Sequence, residues 1–174
     1  MAKTNLSSVI YAGIFISKDE RDRLMGIVPL HFQKAYAHHV TLMFKPHAAY
    51  LEALKPMFGA EVDITVIHNI VDLSLGVQCV SVKCDELSRS SLIETSRPHI
   101  TMSTEDGVSP VVSNEALYKQ EVSWNTNTED KSINVNPAGL NLKGTVGFFT
   151  TTLQEVTSMD NMIWAQTEDG VHVS

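Results

Sequence analysis

The chain has 174 residues, enough for one domain with a sizeable core. Hydrophobic residues make up 43% and charged residues 19%, and the formal net charge is −7. This acid excess argues against a sequence-independent grip on long duplex nucleic acid, though not against a small nucleotide in a local pocket. No apolar run approaches the roughly 18 residues of a membrane span, so no membrane partner is expected. Residues 1–8 lack the apolar core of a signal peptide, which predicts a cytoplasmic protein, in the host cytoplasm if the source is viral. Cys79 and Cys84 fall on opposite faces of one regular strand and read as buried free thiols.

In chain order, residues 8–16 are rich in Val, Ile, Tyr and Phe and read as a first strand, with Gly13 allowing close approach of another backbone. Ser17 and Glu20 match a capping box ahead of a short amphipathic helix carrying Leu24 and Val28, which Pro29 ends. Residues 30–37 read as a loop. A strand follows, ending at Phe44 before Pro46. Residues 48–57 predict a helix with Tyr50, Leu51 and Leu54 as its apolar stripe. Residues 61–71 and 75–84 alternate as strands, and 85–94 predict a short helix. Arg97-Pro98 then sets an extended approach to a strand at 99–103. Residues 105–115 read as a loop, 116–124 as a short strand ending at Trp124, and 125–136 as a polar surface loop. Residues 140–153 predict a long strand or a hairpin broken at Gly144 and Gly147. The tail, 157–174, has Ile163-Trp164 as its apolar anchor and is assigned no element.

Two tripeptides stand out: His39-Val40-Thr41 and His99-Ile100-Thr101. Residues two apart on a strand share a face. His39 and Thr41 therefore project together, as do His99 and Thr101, while Val40 and Ile100 point into a core. Each tripeptide follows its own strand and helix, a weak internal repeat of residues 9–44 in 77–103. Duplicated units packed about a pseudo-twofold axis would face both pairs across one cleft, in an α+β fold. Two histidines across a cleft divide acid and base work, since their pKa lies near operating pH. Two threonine hydroxyls beside them can donate to phosphate oxygens. In-line cleavage of a phosphodiester, by water or a ribose 2′-hydroxyl, fits this set without a metal.

The runs His39-Val40-Thr41-Leu42-Met43-Phe44 and Pro98-His99-Ile100-Thr101-Met102 resemble the paired His-x-Thr motifs of the 2H phosphoesterase superfamily. That family includes RNA 2′,3′-cyclic phosphodiesterases, the cyclic-phosphodiesterase domains of fungal tRNA ligases, and phage enzymes that destroy the cyclic nucleotide signals of bacterial CBASS immunity. The resemblance runs from about Val9 to Phe149 through the order of elements. It implies a single bilobal α+β domain spanning 1–174, with two antiparallel sheets in pseudo-twofold symmetry about a central cleft and few flanking helices. It implies a metal-independent phosphodiesterase without a cofactor. His39 and His99 are its acid/base pair, and Thr41 and Thr101 lie on the phosphate. The expected substrate is a small nucleotide, with a lean to cyclic nucleotides or cyclic oligonucleotides. An RNA end carrying a cyclic phosphate is the alternative, and a catalytically silent nucleotide-binding module is the other. Which histidine is the base, and the oligomeric state, stay open.

Further residues are weighed beside this set. Tyr11 is a substrate-binding candidate by base stacking, and core packing is its equal alternative. Trp124 carries the same pair of readings. Arg97, two residues before His99, is a candidate phosphate contact on that face. Lys45, Lys83 and Lys143 are weaker ones, with surface solvation as their default. His38 is expected on the face opposite His39, as a packing histidine. His38, His39, His47 and His68 have no helical ligand spacing, so no metal site is expected.

Overall fold

A computed structural model describes residues 9–93, 97–126, 133–135, 140–150, 155–156, 164–167 and 170–173, with side chains described for 9–93, 97–122 and 140–150. Strand β1 (Val9–Ile16) leads into helix α1 (Lys18–Ile27). Ser17 caps α1: its Oγ accepts from the Glu20 N–H at 3.2 Å. The Glu20 carboxylate serves elsewhere, accepting from the Lys143 N–H at 2.7 Å and so tying α1 to the sheet. Leu24 and Val28 are buried beneath the helix.

A two-residue strand, β2 (Lys34–Ala35), precedes β3 (His39–Phe44). Helix α2 (Ala48–Leu54) continues as a 3-10 turn to Met57, with Tyr50, Leu51 and Leu54 buried. His47 caps it, Nδ1 accepting from the Tyr50 N–H at 3.1 Å. Strands β4 (Glu61–Asp72) and β5 (Val77–Lys83), the short helix α3 (Asp85–Arg89) and β6 (His99–Thr104) follow. After a 3-10 turn at Pro110–Val112 comes α4 (Ser113–Thr126). Then come β7 (Ile133–Val135), β8 (Asn141–Thr150) and β9 (Glu155–Val156). Strands β10 (Trp164–Thr167) and β11 (Gly170–Val173) pair as a separate hairpin in the tail.

The expectation of two sheets in pseudo-twofold symmetry is overturned. Strands run in one sheet, in the order β2-β6-β5-β4-β8-β1-β3, with β7 on β4 and β9 on β8. All the pairings are antiparallel. The physical reason is the length of β4. Its first half, Glu61 to Thr65, pairs with β8, and its second half, Thr65 to Asp72, pairs with β5. A register shift between Val66 and His68 bends the strand between the two partners. One strand thus joins what the repeat suggested were separate halves, and the class remains α+β.

The sheet curls so that its far strands β3 and β6 come into contact. Residues 34–37 make the bridge. They run along β6, with the Tyr36 N–H bonded to the Met102 carbonyl at 2.9 Å and the Ala37 N–H to the Thr101 carbonyl at 2.8 Å. The chain then crosses to β1, where the Ile16 N–H bonds the His38 carbonyl at 3.1 Å. Ala37 turns there with φ 60°. Val40, Leu42, Ile100 and Met102 are fully buried in the core beneath both strands. Gly13 lets β1 and β3 approach: a Cβ there would lie 2.9 Å from the Val40 carbonyl oxygen.

Three other expectations change. Residues 116–124 are helical, not a strand. Glu115, Ala116, Leu117, Lys119, Gln120 and Glu121 are strong helix formers, and Ala116, Leu117 and Gln120 form the buried stripe. The predicted loop at 125–136 holds the end of α4 and strand β7, and its residues 127–132 and 136 lie outside the described residues. The third predicted helix, at 85–94, is cut to Asp85–Arg89. Residues 141–150 form one unbroken strand, in which Gly144 pairs with both Ile16 and Val62. Both cysteines are buried and free, with burial pushing each thiol up to about 12. Among the described residues, no helix is long and apolar enough to cross a membrane.

Candidate active site

Strands β3 and β6 present alternate side chains to a cleft of about 740 Å³. His39 and Thr41 line it from β3, and His99 and Thr101 from β6. All four are half-buried, while the residues between them are sealed in the core. Alternation on a strand does this: one face packs, the other faces the cleft.

His99 is fixed by the backbone. Its Nδ1 lies 2.9 Å from the Arg97 carbonyl. A carbonyl only accepts, so Nδ1 carries the proton and Nε2 is the bare nitrogen of the neutral ring. Burial lowers its pKa, partly countered by that bond. His39 has a different partner: its Nδ1 is 2.6 Å from Nδ1 of His38. Burial, then repulsion from His38 and from His99, pushes its pKa down to about 3. His38 is lowered as well, by burial and by the Arg21 guanidinium.

These shifts have a consequence for stability. All three rings hold their folded pKa below the ordinary histidine value of 6.5. The unfolded chain therefore binds protons that the folded chain excludes, and stability falls as pH drops below the unfolded value. For His39 alone, moving from about pH 6.5 to pH 5 is expected to cost about 2 kcal/mol. Urea midpoints measured across that window should fall with pH, and more shallowly in His39→Phe. A flat wild-type profile would contradict the burial of these rings.

Thr101 Oγ1 is held 2.8 Å from the Oγ of Ser113, a fully buried residue in the first turn of α4. Among the described residues the Thr41 hydroxyl has no hydrogen-bond partner. The floor of the cleft is a stacked column. Phe149 lies on Tyr11 (centroids 5.2 Å, 11° between planes) and Tyr11 on His39 (4.6 Å, 23°), while the His38 ring lies edge to edge with His39 (4.7 Å, 20°). Tyr36 meets His38 edge-on at 6.2 Å. Exposed Phe44 and Val111 stand on the rim, beside Met43, Ser109, Pro110 and Asn114. Among the described lining residues there is no Lys, Arg, Asp or Glu.

The other sequence candidates separate. Tyr11 is in the cleft, stacked on His39, so it lines the site and packs at once. Arg97 is not among the cleft's lining residues. It pairs with Glu121 of α4 at 2.6 Å and sits 5.2 Å over the Tyr118 ring. β6 begins at His99, so strand parity does not carry back to Arg97. Trp124 lies in α4, and its side chain is outside the described residues. Lys143 pairs with Asp63 and Lys83 with Asp85, both on the surface. Lys45 lies 5.5 Å over the Phe44 ring. His38 does not take the face opposite His39: the turn at Ala37 breaks the parity and puts both rings in one cleft. Among the described residues, no group of three or more His, Cys, Asp or Glu is placed to hold a metal ion.

Sequence reasoning missed Ser113, Tyr36, Phe149 and the rim. Phe149 was legible in principle, because it pairs directly with Tyr11 across β1 and β8. Ser113 carried no signal, since the helix that delivers it was not expected.

No family model matches the chain, and no curated protein matches it. Among solved structures, the fold is similar to the crystal structure of a fungal RNA kinase, with a TM-score of 0.52 and 15% sequence identity. The match covers 79% of this chain and 44% of that one, so this chain spans less than half the length of the protein it matches. At that identity the likeness speaks for the fold alone.

Proposed function

We propose that this cleft cleaves a phosphodiester in a small nucleotide, with His39 and His99 exchanging protons with the reacting oxygens. Thr41 and Thr101 donate to the non-bridging phosphate oxygens. The observation that carries the reading is the gathering of both histidine–threonine pairs in one cleft. General acid–base transfer needs groups on either side of the phosphorus, and preorganised hydroxyls lower the barrier where charge develops. The Ser113 hydroxyl, 2.8 Å from Thr101 Oγ1, holds Thr101 in place, and a substrate phosphate oxygen would take the Thr101 proton that now reaches toward the Pro110 carbonyl at 3.5 Å. The reading assigns no step to a metal.

The lining supports a compact substrate. A cleft whose described walls carry aromatic and apolar groups and no lysine or arginine suits one phosphate beside a base, not a run of phosphates. Cyclic mononucleotides and small cyclic oligonucleotides fit best. An RNA end with a terminal cyclic phosphate is the second reading. It is favoured by the likeness of the fold to that of a fungal RNA kinase.

The test is a panel of 2′,3′-cyclic and 3′,5′-cyclic mononucleotides, cyclic dinucleotides and RNA with a cyclic-phosphate end, incubated with EDTA, with products identified by mass spectrometry. Turnover of a small member is expected. Its KM should change by less than about twofold between roughly 50 and 300 mM salt, because one phosphate and no fixed cations leave little to screen. Tight binding with every ligand recovered intact would favour a silent binding module. A KM that rises by orders of magnitude with salt would favour a polyanionic RNA substrate.

A further inference from the structure

We propose that His38, which lies outside both His-x-Thr motifs, is a positioning residue that donates its Nδ1 proton to Nδ1 of His39 and so holds the His39 proton on Nε2. Two ring nitrogens 2.6 Å apart cannot both present lone pairs, so one proton lies between them. The backbone fixes this contact from both sides of His38. The Ala37 N–H is bonded to β6 and the His38 carbonyl to β1, with the positive-φ turn at Ala37 between them. The two rings lie edge to edge and nearly coplanar, with 20° between planes and centroids 4.7 Å apart, and Tyr36 meets His38 edge-on.

The direction of donation follows from Arg21. Its Nε donates to the Tyr36 carbonyl at 2.9 Å, which anchors the guanidinium beside this segment, close enough to disfavour a charged His38. A neutral imidazole next to a cation is most stable with its lone pair toward the charge and its N–H away. Nδ1 of His38 is occupied by His39, so Nε2 is the nitrogen left for the lone pair, and the proton lies on Nδ1.

The consequence, which rests on the function proposed above, is a division of labour before any substrate arrives. His99 has its proton on Nδ1 and a bare Nε2, while His39 has a bare Nδ1 and its proton on Nε2. His99 Nε2 takes a proton of the attacking water as the new P–O bond forms. His39 Nε2 gives its proton to the leaving oxygen as the old P–O bond breaks. His39 would be left an imidazolate by that loss alone, so the proton taken by His99 passes through solvent to His39 in the same step and both rings end neutral. Two neutral histidines can thus serve as base and acid, each set by its own hydrogen bond.

Long-range proton–nitrogen NMR correlation on protein labelled at histidine, with assignments from single-histidine variants, reads the tautomers directly. The expected result is His39 protonated on Nε2 and His99 on Nδ1. His38→Leu should let His39 take both tautomers and lower kcat by about tenfold or more with KM little changed. His38→Asn places an amide N–H near the same point and should recover most of that loss. A wild-type spectrum with His39 protonated on Nδ1 overturns the proposal, even if His38→Leu fails to fold. So does an unaltered His39 tautomer in a folded His38→Leu. The predicted tautomers in a protein that turns over no nucleotide would instead sink the functional reading and leave this one standing.

Discussion

Replacing His39 or His99 with alanine is expected to lower kcat by about 10²–10⁴-fold on the nucleotide the wild type cleaves, with KM changed far less. That range is about 3–5 kcal/mol of transition-state stabilisation. The loss belongs in kcat because each ring moves a proton only as the P–O bonds change. Both rings face the cleft, and the core beneath them is made by Val40, Leu42, Ile100 and Met102, so both variants should fold. The double variant should lose little more than the worse single variant, since residues acting on one step are not additive. A measurable unfolding midpoint close to wild type must accompany the loss. Undiminished turnover in either variant would remove that histidine from the chemistry.

Gly144→Val is expected to be the most damaging substitution of a small residue. Gly144 sits where β8 is flanked by β1 and β4, paired with Ile16 on one side and Val62 on the other. A Cβ added there would lie 2.5 Å from Cγ2 of Ile14, 3.0 Å from Cδ1 of Ile64 and 3.2 Å from the Phe15 carbonyl oxygen. Ile14 and Ile64 are fully buried, so neither can swing away into solvent. Overpacking of a filled core costs about 1–3 kcal/mol, and the upper end applies where two β-branched neighbours and a backbone oxygen surround the site. For a chain of this size about 3 kcal/mol lowers Tm by about 6–12 °C. Thermal unfolding followed by circular dichroism measures it. A Tm within a degree or two of wild type would mean that β1, β8 and β4 can part cheaply there.

The histidine–threonine strands were readable because period-two alternation, Pro46 and Arg97-Pro98 all agreed about where each strand runs. The Ser17 cap was readable for a similar local reason. What failed depended on partners distant in sequence. Nothing within residues 61–72 says that one strand will serve two neighbours, and that choice decides between one sheet and two. Parity placed His39 correctly but misled on His38 and Arg97, because both lie just before their strands begin, where a turn or a proline resets the direction of the side chain. Helix α4 was hidden by its buried Gln120, a polar residue in the stripe that should have been apolar. Ser113 went with it, and so did the hydrogen bond that positions Thr101.

The column from Phe149 through Tyr11 to His39, with His38 bonded at the edge of His39, links fold to chemistry. It is assembled from three neighbouring strands and the turn before one of them, and it holds the His39 ring flat against Tyr11. A ring supported on one face and hydrogen-bonded at one nitrogen has little freedom left, which is the preorganisation that proton transfer needs.

The two histidine–threonine pairs are proposed to hydrolyse a phosphodiester. The most direct test is incubation of the wild-type chain with the nucleotide panel in heavy-oxygen water containing EDTA, followed by mass spectrometry of the phosphate-bearing products. A phosphomonoester carrying one heavy oxygen, formed by the wild type and lost in His39→Ala and in His99→Ala, is the predicted result. Unlabelled, intact nucleotides throughout, or label incorporated equally by both variants, would contradict it.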